Sequence, residues 1–299
     1  MIRRVTLVNR IASVLALVLG CVALAPAETR AADTIRIGEG PFISGGGFYI
    51  AKAKGYFTKL GIELQMREFA DGALAMPSFI SGELDISFMT ANASLFNSIA
   101  KGAPIQIILD RGHNRTGRAY TVISVTKAMA EQGVRSLGDM AKLKGKRFGV
   151  GALGSINQFN AATALIKAGL DPAKDVQWIV NVPQPDLMKM LGQNQLEATD
   201  LAYQFGFFAQ KNGWGPMIAP GDVIAPNGQI STYAIRKEYL AKNRDVVIRF
   251  AMAYLQGVKE FNAAAGAPDK YPEIVDILAK STTLKDPAVR HGAELVLHE

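Results

Sequence analysis

The chain carries one pattern twice. A glycine-rich turn, a stretch with apolar residues at helical spacing, a glycine and an apolar strand run from about 44 to 66, and the same series returns from about 152 to 182. In the first copy Ser44-Gly45-Gly46-Gly47 opens a segment in which Ile50, Ala53, Phe57 and Leu60 recur on one helix face, with Lys52, Lys54 and Lys59 off it. Gly61 is placed to take the left-handed conformation that ends a helix, and Ile62, Leu64 and Met66 then alternate with polar residues as a half-buried strand requires. In the second copy 152–155 is the loop, 156–168 the helix, Gly169-Leu170 its stop and 176–182 the next strand. Matching points lie 108 residues apart at Gly61 and Gly169, and 112 apart at Leu84 and Leu196. The duplication predicts two similar α/β lobes; one large doubly wound sheet would leave the near-equal spacing as coincidence.

Around these landmarks strands alternate with helices. Strands are expected at 35–39, 62–66, 84–88 and 105–109, with a helix capped by Asp71 that ends at Gly82 and a short one from Thr90 to Ala100. The second half opens with a strand at 146–151. Such alternation gives mostly parallel sheets whose ligands bind at the carboxyl ends of the strands. Two apolar strands, 120–125 and 230–235, lack glycine loops and suit the two crossings between lobes. Lobe I is therefore drawn as 32–118 plus 236–299, and lobe II as 119–235. After Lys237, the residues Val246, Val247, Phe250, Ala251, Tyr254, Leu255 and Val258 are expected to pack back on the first lobe, and 274–278 is a last apolar stretch.

Residues 1–31 predict export rather than fold. Arg3, Arg4 and Arg10 precede an apolar run over 11–25 and then small residues, the order of a signal peptide. Cleavage suits Ala27 or Ala31, and the second is preferred because the first strand starts near Ile35. Arg3-Arg4 lacks the longer twin-arginine context, so ordinary secretion to the periplasm is expected. Val18-Leu19-Gly20-Cys21 resembles a lipoprotein cleavage box, but the apolar run continues through Val22, Ala23 and Leu24, which makes anchoring at Cys21 the lesser alternative. Cys21 is the one cysteine of the chain and leaves with the leader, which removes disulfide, thiol and thiolate chemistry. The formal charge of +7 falls to about +4 with the leader's four arginines and Glu28 gone, and no lysine/arginine block suggests nucleic acid. No second apolar run reaches the roughly 18 residues of a membrane span.

Catalytic chemistry finds few candidates. The histidines are His113, His291 and His298, with no pair at metal-helix spacing, so no metal or cofactor is expected. Gly138 to Lys146 has its glycines seven apart and Arg147 in place of the hydroxyl residue, so it is no phosphate loop, and neither Ser44 nor Ser155 sits in a nucleophile elbow. Glu83 and Asp85 flank a strand start. A secreted enzyme would have to depend on His113 or Asp85.

Binding has more support. Ser44, Gly45, Gly46 and Phe48 open one helix, and Gly154, Ser155 and Asn157 open its counterpart; two helix amino ends aimed at one gap favour an anionic group. Ser155 also reads as an ordinary helix cap. Thr90 and Asn92 follow the third strand, where either a ligand oxygen or a helix-starting turn explains them. Arg111 is the best placed of Arg111, His113, Arg115 and Arg118 to fork a carboxylate or sulfonate. Tyr203 stands at a loop beyond the strand ending near Leu201, where it can line a pocket. Three successive glycines leave room for a bulky group against Phe48, which favours an aromatic or alkyl acid over nitrate.

The runs Tyr49-Ile50-Ala51, Gly55-Tyr56-Phe57 and Leu60-Gly61-Ile62, the segment Ser81-Gly82-Glu83-Leu84-Asp85-Ile86, then Gly102-Ala103-Pro104-Ile105, Leu143-Lys144-Gly145-Lys146 and Lys167-Ala168-Gly169-Leu170 together resemble the nitrate/sulfonate/taurine-type solute-binding proteins of ABC transporters, in the superfamily that also binds pyrimidine precursors. The likeness runs from about Ile35 to Phe261. It implies a two-lobed periplasmic-binding-protein type II architecture that closes about a hinge, with the glycine loop, the Thr90 loop and the Gly154-Ser155 loop lining the cleft. It also implies a monomer that hands a small anionic organic solute to a cognate ABC permease in the inner membrane. Members bind nitrate, sulfonates, aromatic carboxylates or pyrimidine precursors. Here Gln195-Leu196-Glu197-Ala198-Thr199-Asp200 departs from the usual Val-Asp-Ala, which bears on Tyr203, and the cysteine-rich motif of the pyrimidine-synthesising enzymes is absent. A ligand-sensing subunit on the same lobes is the alternative to transport.

Overall fold

The computed structural model describes residues 31–282. The expected leader through residue 30, with Cys21, and the histidines His291 and His298 lie outside the described residues. The chain opens with β1 (Asp33–Glu39), a 3-10 turn over Ile43–Gly45 and α1 (Gly46–Ala53). The single helix expected here breaks at Gly55, whose φ of +69° is a glycine conformation, and restarts as α2 (Tyr56–Lys59). Gly61, also at φ +69°, ends it and leads into β2 (Ile62–Glu68). Then follow α3 (Gly72–Ile80), β3 (Ile86–Thr90), α4 (Ala93–Ala100) and β4 (Ile105–His113). The second half holds β5 (Thr121–Val125), α5 (Lys127–Glu131), β6 (Arg147–Gly149), α6 (Ile156–Lys167), β7 (Gln177–Ile179), α7 (Gln184–Gly192), β8 (Ala198–Ala202), α8 (Tyr203–Lys211), β9 (Met217–Pro220) and α9 (Gly221–Ile224). Last come β10 (Gln229–Arg236), α10 (Lys237–Lys242), α11 (Arg244–Gly266) and α12 (Pro272–Ser281).

Two five-stranded sheets carry these elements, in the orders β2-β1-β3-β10-β4 and β7-β6-β8-β5-β9. In the first, β1 lies parallel to β2 and β3 while β10 runs antiparallel to β3 and β4. In the second, β6 lies parallel to β7 and β8 while β5 runs antiparallel to β8 and β9. The two orders superimpose strand for strand, so the duplication in the sequence is a duplication of topology. In each sheet the fourth strand is the one that has just crossed from the other lobe.

That exchange corrects one boundary. Strand β10, placed in lobe II by the division at 235/236, hydrogen-bonds between β3 and β4 and belongs to lobe I. A polar edge cannot be left in the middle of a sheet, and β10 supplies the partner that both neighbours need. The crossings therefore precede β5 and β10, and they bond to each other: the Asn114 N–H donates to the Gly228 carbonyl at 2.9 Å, and the Gly117 N–H to Asp222 Oδ2 at 2.8 Å.

One ion pair is repeated with the strands. Arg36 on β1 meets Asp85, just before β3, at 2.5 Å, and Arg147 on β6 meets Glu197, just before β8, at 2.7 Å. Each acid also accepts its arginine's backbone N–H, at 3.0 and 2.9 Å. This ties the first strand of each lobe to the third and explains why β3 begins two residues later than expected: Asp85 faces Arg36 with its side chain.

Lobe I is packed on both sheet faces. Ile35, Ile37, Phe88, Tyr233 and Phe250 are buried together under α1, α2 and α11, and Phe79, Leu84, Met89 and Leu95 under α3 and α4. Helix α11 lies so close to α1 that a Cβ on Gly257 would stand 2.0 Å from the Gly47 carbonyl oxygen. Its expected apolar stripe is only partly inward, because Leu255 is 54% exposed. Among the described residues no helix is long and apolar enough to cross a membrane.

Candidate ligand-binding cleft

A cavity of about 360 Å³ opens between the lobes and is lined from both. Ser44, Asp71, Thr90, Arg111 and Ser231 come from loops and strand ends of lobe I; Asn157, Gln184 and Tyr203 come from helix starts of lobe II. Tyr254, Val258 and Phe261 of α11 form an apolar side wall, and His113, Arg115 and Arg118 stand where β4 leaves lobe I. The carboxyl ends of β1 and β3 and the amino end of α6 converge here, as strand polarity in such sheets requires.

Arg111 is the centre of the lobe I wall. Its side chain is 1% exposed and meets the fully buried Glu39 at 2.5 Å. The same guanidinium donates to Ser44 Oγ at 2.9 Å and the Gly40 carbonyl at 3.2 Å, and it lies 5.0 Å over the Phe88 ring. Burial works against its charge, but the Glu39 carboxylate together with Tyr233 and Tyr254 outweighs burial and raises its pKa. Glu39 is completed by the Gly40 N–H at 2.8 Å and by the Tyr233 hydroxyl. The arginine fork expected for a ligand is thus occupied by Glu39, and only Nε is buried without a hydrogen-bond partner.

Lobe II presents amides. The Asn157 Nδ2 donates to the buried Asp200 Oδ1 at 2.5 Å, the Asn157 Oδ1 accepts from Gln184 Nε2 at 3.4 Å, and the Gln184 Oε1 accepts the Ala202 N–H at 2.6 Å. Burial pushes the Asp200 carboxyl well above the usual range, against the Asn157 bond, and its Oδ2 has no hydrogen-bond partner. Asp200 therefore orients Asn157 at the cavity wall.

Of the residues singled out in the sequence, Ser44, Thr90, Arg111, Asn157 and Tyr203 line this cavity, as do His113, Arg115 and Arg118, which were weighed beside Arg111. The others do not, each for a structural reason. A Cβ on Gly45 would lie 2.5 Å from Arg111 Nη2, and one on Gly46 2.3 Å from the Phe261 ring, so these glycines admit protein side chains rather than a ligand. Phe48 is fully buried against Tyr49, Phe57 and Tyr233, which removes the expected ligand contact there. Asn92 caps α4 by accepting the Leu95 N–H at 3.1 Å, and Ser155 caps α6 by accepting the Gln158 N–H at 3.2 Å. Gly154, at φ +71°, donates its N–H to Gln158 Oε1 at 2.6 Å, and its Cβ position lies 3.5 Å from Ser94 Cβ across the cleft.

Asp71, Gln184 and Ser231 line the cavity without having been singled out for it. Asp71 does cap α3, accepting the Ala73 N–H at 2.8 Å, and that role hides its place in the cleft. The residues proposed for enzymic chemistry are engaged elsewhere. Burial pushes Asp85 up, but bonds from Arg36 and Arg236 outweigh it and hold its pKa low, while His113 bonds Asp110 at 2.8 Å and accepts from Arg115 at 3.0 Å. Among the described residues no group of three or more His, Cys, Asp or Glu could hold a metal ion.

Comparison with known proteins gives a consistent picture. The model of a family described as the NMT1-like family matches residues 29–279. The chain is similar to YtlA of Bacillus subtilis (strain 168), which is named as a binding protein, with 25% identity over 205 residues, 69% of this chain and 59% of YtlA. Among solved structures, the alkanesulfonate-binding protein SsuA from Xanthomonas axonopodis pv. citri bound to MOPS superimposes with a TM-score of 0.70 at 17% identity, over 90% of this chain and 84% of that one. The periplasmic nitrate-binding protein NrtA from Synechocystis PCC 6803 gives a TM-score of 0.67 at 17% identity, over 86% and 68%. At such identities the likeness shows the fold, the two-lobed α/β architecture of periplasmic ABC-type substrate-binding proteins.

Proposed function

This chain belongs to the NMT1-like family, and from that premise we propose that it is the periplasmic solute-binding component of an ABC importer, which encloses a small organic acid between its lobes and performs no covalent chemistry. The observation that carries this is the cavity itself, lined by both lobes and bounded by two crossings bonded to each other. Two lobes joined this way can close about the crossings and expel water from the gap. An organic solute suits the volume better than nitrate, which would leave most of about 360 Å³ unfilled. An acidic group, a sulfonate or an aromatic or alkyl carboxylate, is supported by the unpartnered Arg111 Nε and by the exposed Arg115 and Arg118 that line the cavity. Glu39 limits that attraction, since it already neutralises Arg111.

A melting-temperature screen of the purified chain against alkyl and aryl sulfonates, aromatic carboxylates and nitrate tests the proposal. A saturating organic acid is expected to raise Tm by about 5–10 °C. Product formation from any of them would speak for an enzyme instead, and no shift with the whole panel would count against an acid receptor.

A further inference from the structure

We propose that Asp71 determines specificity in the cavity: its open carboxyl oxygen receives an N–H donor, so the solute is an organic acid that also carries an amino group, rather than a simple anion. The inference rests on the binding function proposed above and names the class of solute.

Asp71 is 4% exposed and lines the cavity from the amino end of α3. One oxygen, Oδ1, accepts the Ala73 N–H at 2.8 Å, which is its one hydrogen bond among the described residues. The other, Oδ2, points toward lobe II, 3.6 Å from where a Cβ on Gly151 would stand. Among the described residues no cation answers it. Arg111, the buried cation of the same cavity, is held by Glu39, and Asn157 and Gln184 opposite are bonded to Asp200, to each other and to the Ala202 N–H.

Helix capping does not account for an acid here. Serine, threonine or asparagine would cap α3 without burying a carboxyl in the cleft wall, where a charge lacking a partner is costly. Burial raises the Asp71 pKa to about 6, against the Ala73 bond, so the group is largely ionised at neutral pH. A ligand ammonium or amine N–H would supply the missing partner through a charge-assisted hydrogen bond. Where that group is an ammonium, the solute is neutral or nearly so overall, which suits a cavity whose buried arginine is already balanced.

The test uses matched pairs that exchange an amino for a methyl group: 2-aminoethanesulfonate with propanesulfonate, 4-aminobenzoate with 4-methylbenzoate, and 4-aminobutyrate with pentanoate. Affinities for the wild-type chain and for Asp71→Asn are measured by calorimetry, with Asp71→Ser as a second variant that keeps the cap. At least one amino member is expected to bind wild type about tenfold or more tighter than its methyl partner. Asp71→Asn, which turns a donor toward the ligand, is expected to abolish that ratio while leaving the methyl partner within about threefold. Equal binding within every pair, or an amino preference that survives in both variants, overturns the inference alone. Failure of every compound to bind any of the proteins overturns the proposed function, and this inference with it.

Discussion

Asp71 also governs how stability depends on pH. Its carboxyl titrates near 6 in the folded protein against an ordinary 3.8. Below about pH 3 both states hold the proton and folding carries no penalty; as pH rises from there through 6 the unfolded chain ionises first, so stability falls by about 3 kcal/mol. Asp71→Asn keeps the cap and removes the titration. It is expected to be more stable than wild type by about 2–3 kcal/mol in urea at pH 7.5, and equal to it at about pH 3. The Glu39–Arg111 pair works in the opposite sense. Glu39→Gln leaves a buried guanidinium without its counter-charge and is expected to cost about 3 kcal/mol or more, whereas Glu39→Leu with Arg111→Met should recover much of that. At this scale the sequence revealed position better than role. Arg111 stands at a strand end, where ligands bind, but nothing in its neighbourhood shows that Glu39, 72 residues earlier, occupies its fork. Asp71 read as a cap because the same residue type serves both purposes.

The helix amino ends were legible and their purpose was not. Ser155, Asn92 and Asp71 each cap the helix expected of them, and Gly61 and Gly169 take the left-handed turns that the repeat requires. The triple glycine that caps and opens α1 admits Arg111, Phe261 and Val258, contacts made by segments far along the chain that no local pattern displays. Its room is filled by α11 rather than by a ligand. Gly257→Ala is therefore expected to force α11 from α1 and cost about 1–3 kcal/mol in urea unfolding. Gly55→Ala, whose Cβ would meet nothing within 4 Å, should cost only the strain of its positive φ, about 1 kcal/mol.

For the molecule as a whole, the duplication showed in the sequence as a spacing of about 110 residues, and the structure gives it as two sheets of the same order. What spacing cannot show is the exchange of β5 and β10, since a strand's partner in a sheet is set by tertiary pairing rather than by its own residues. That exchange joins the lobes twice and leaves the cavity between them. The central claim, that this cavity holds one solute, is tested most directly by native mass spectrometry of the chain purified without denaturation. One small organic molecule per chain is expected, containing nitrogen and an acidic group, freed on unfolding and diminished in Asp71→Asn. A bare chain mass, with no small molecule in the denatured extract, would contradict it.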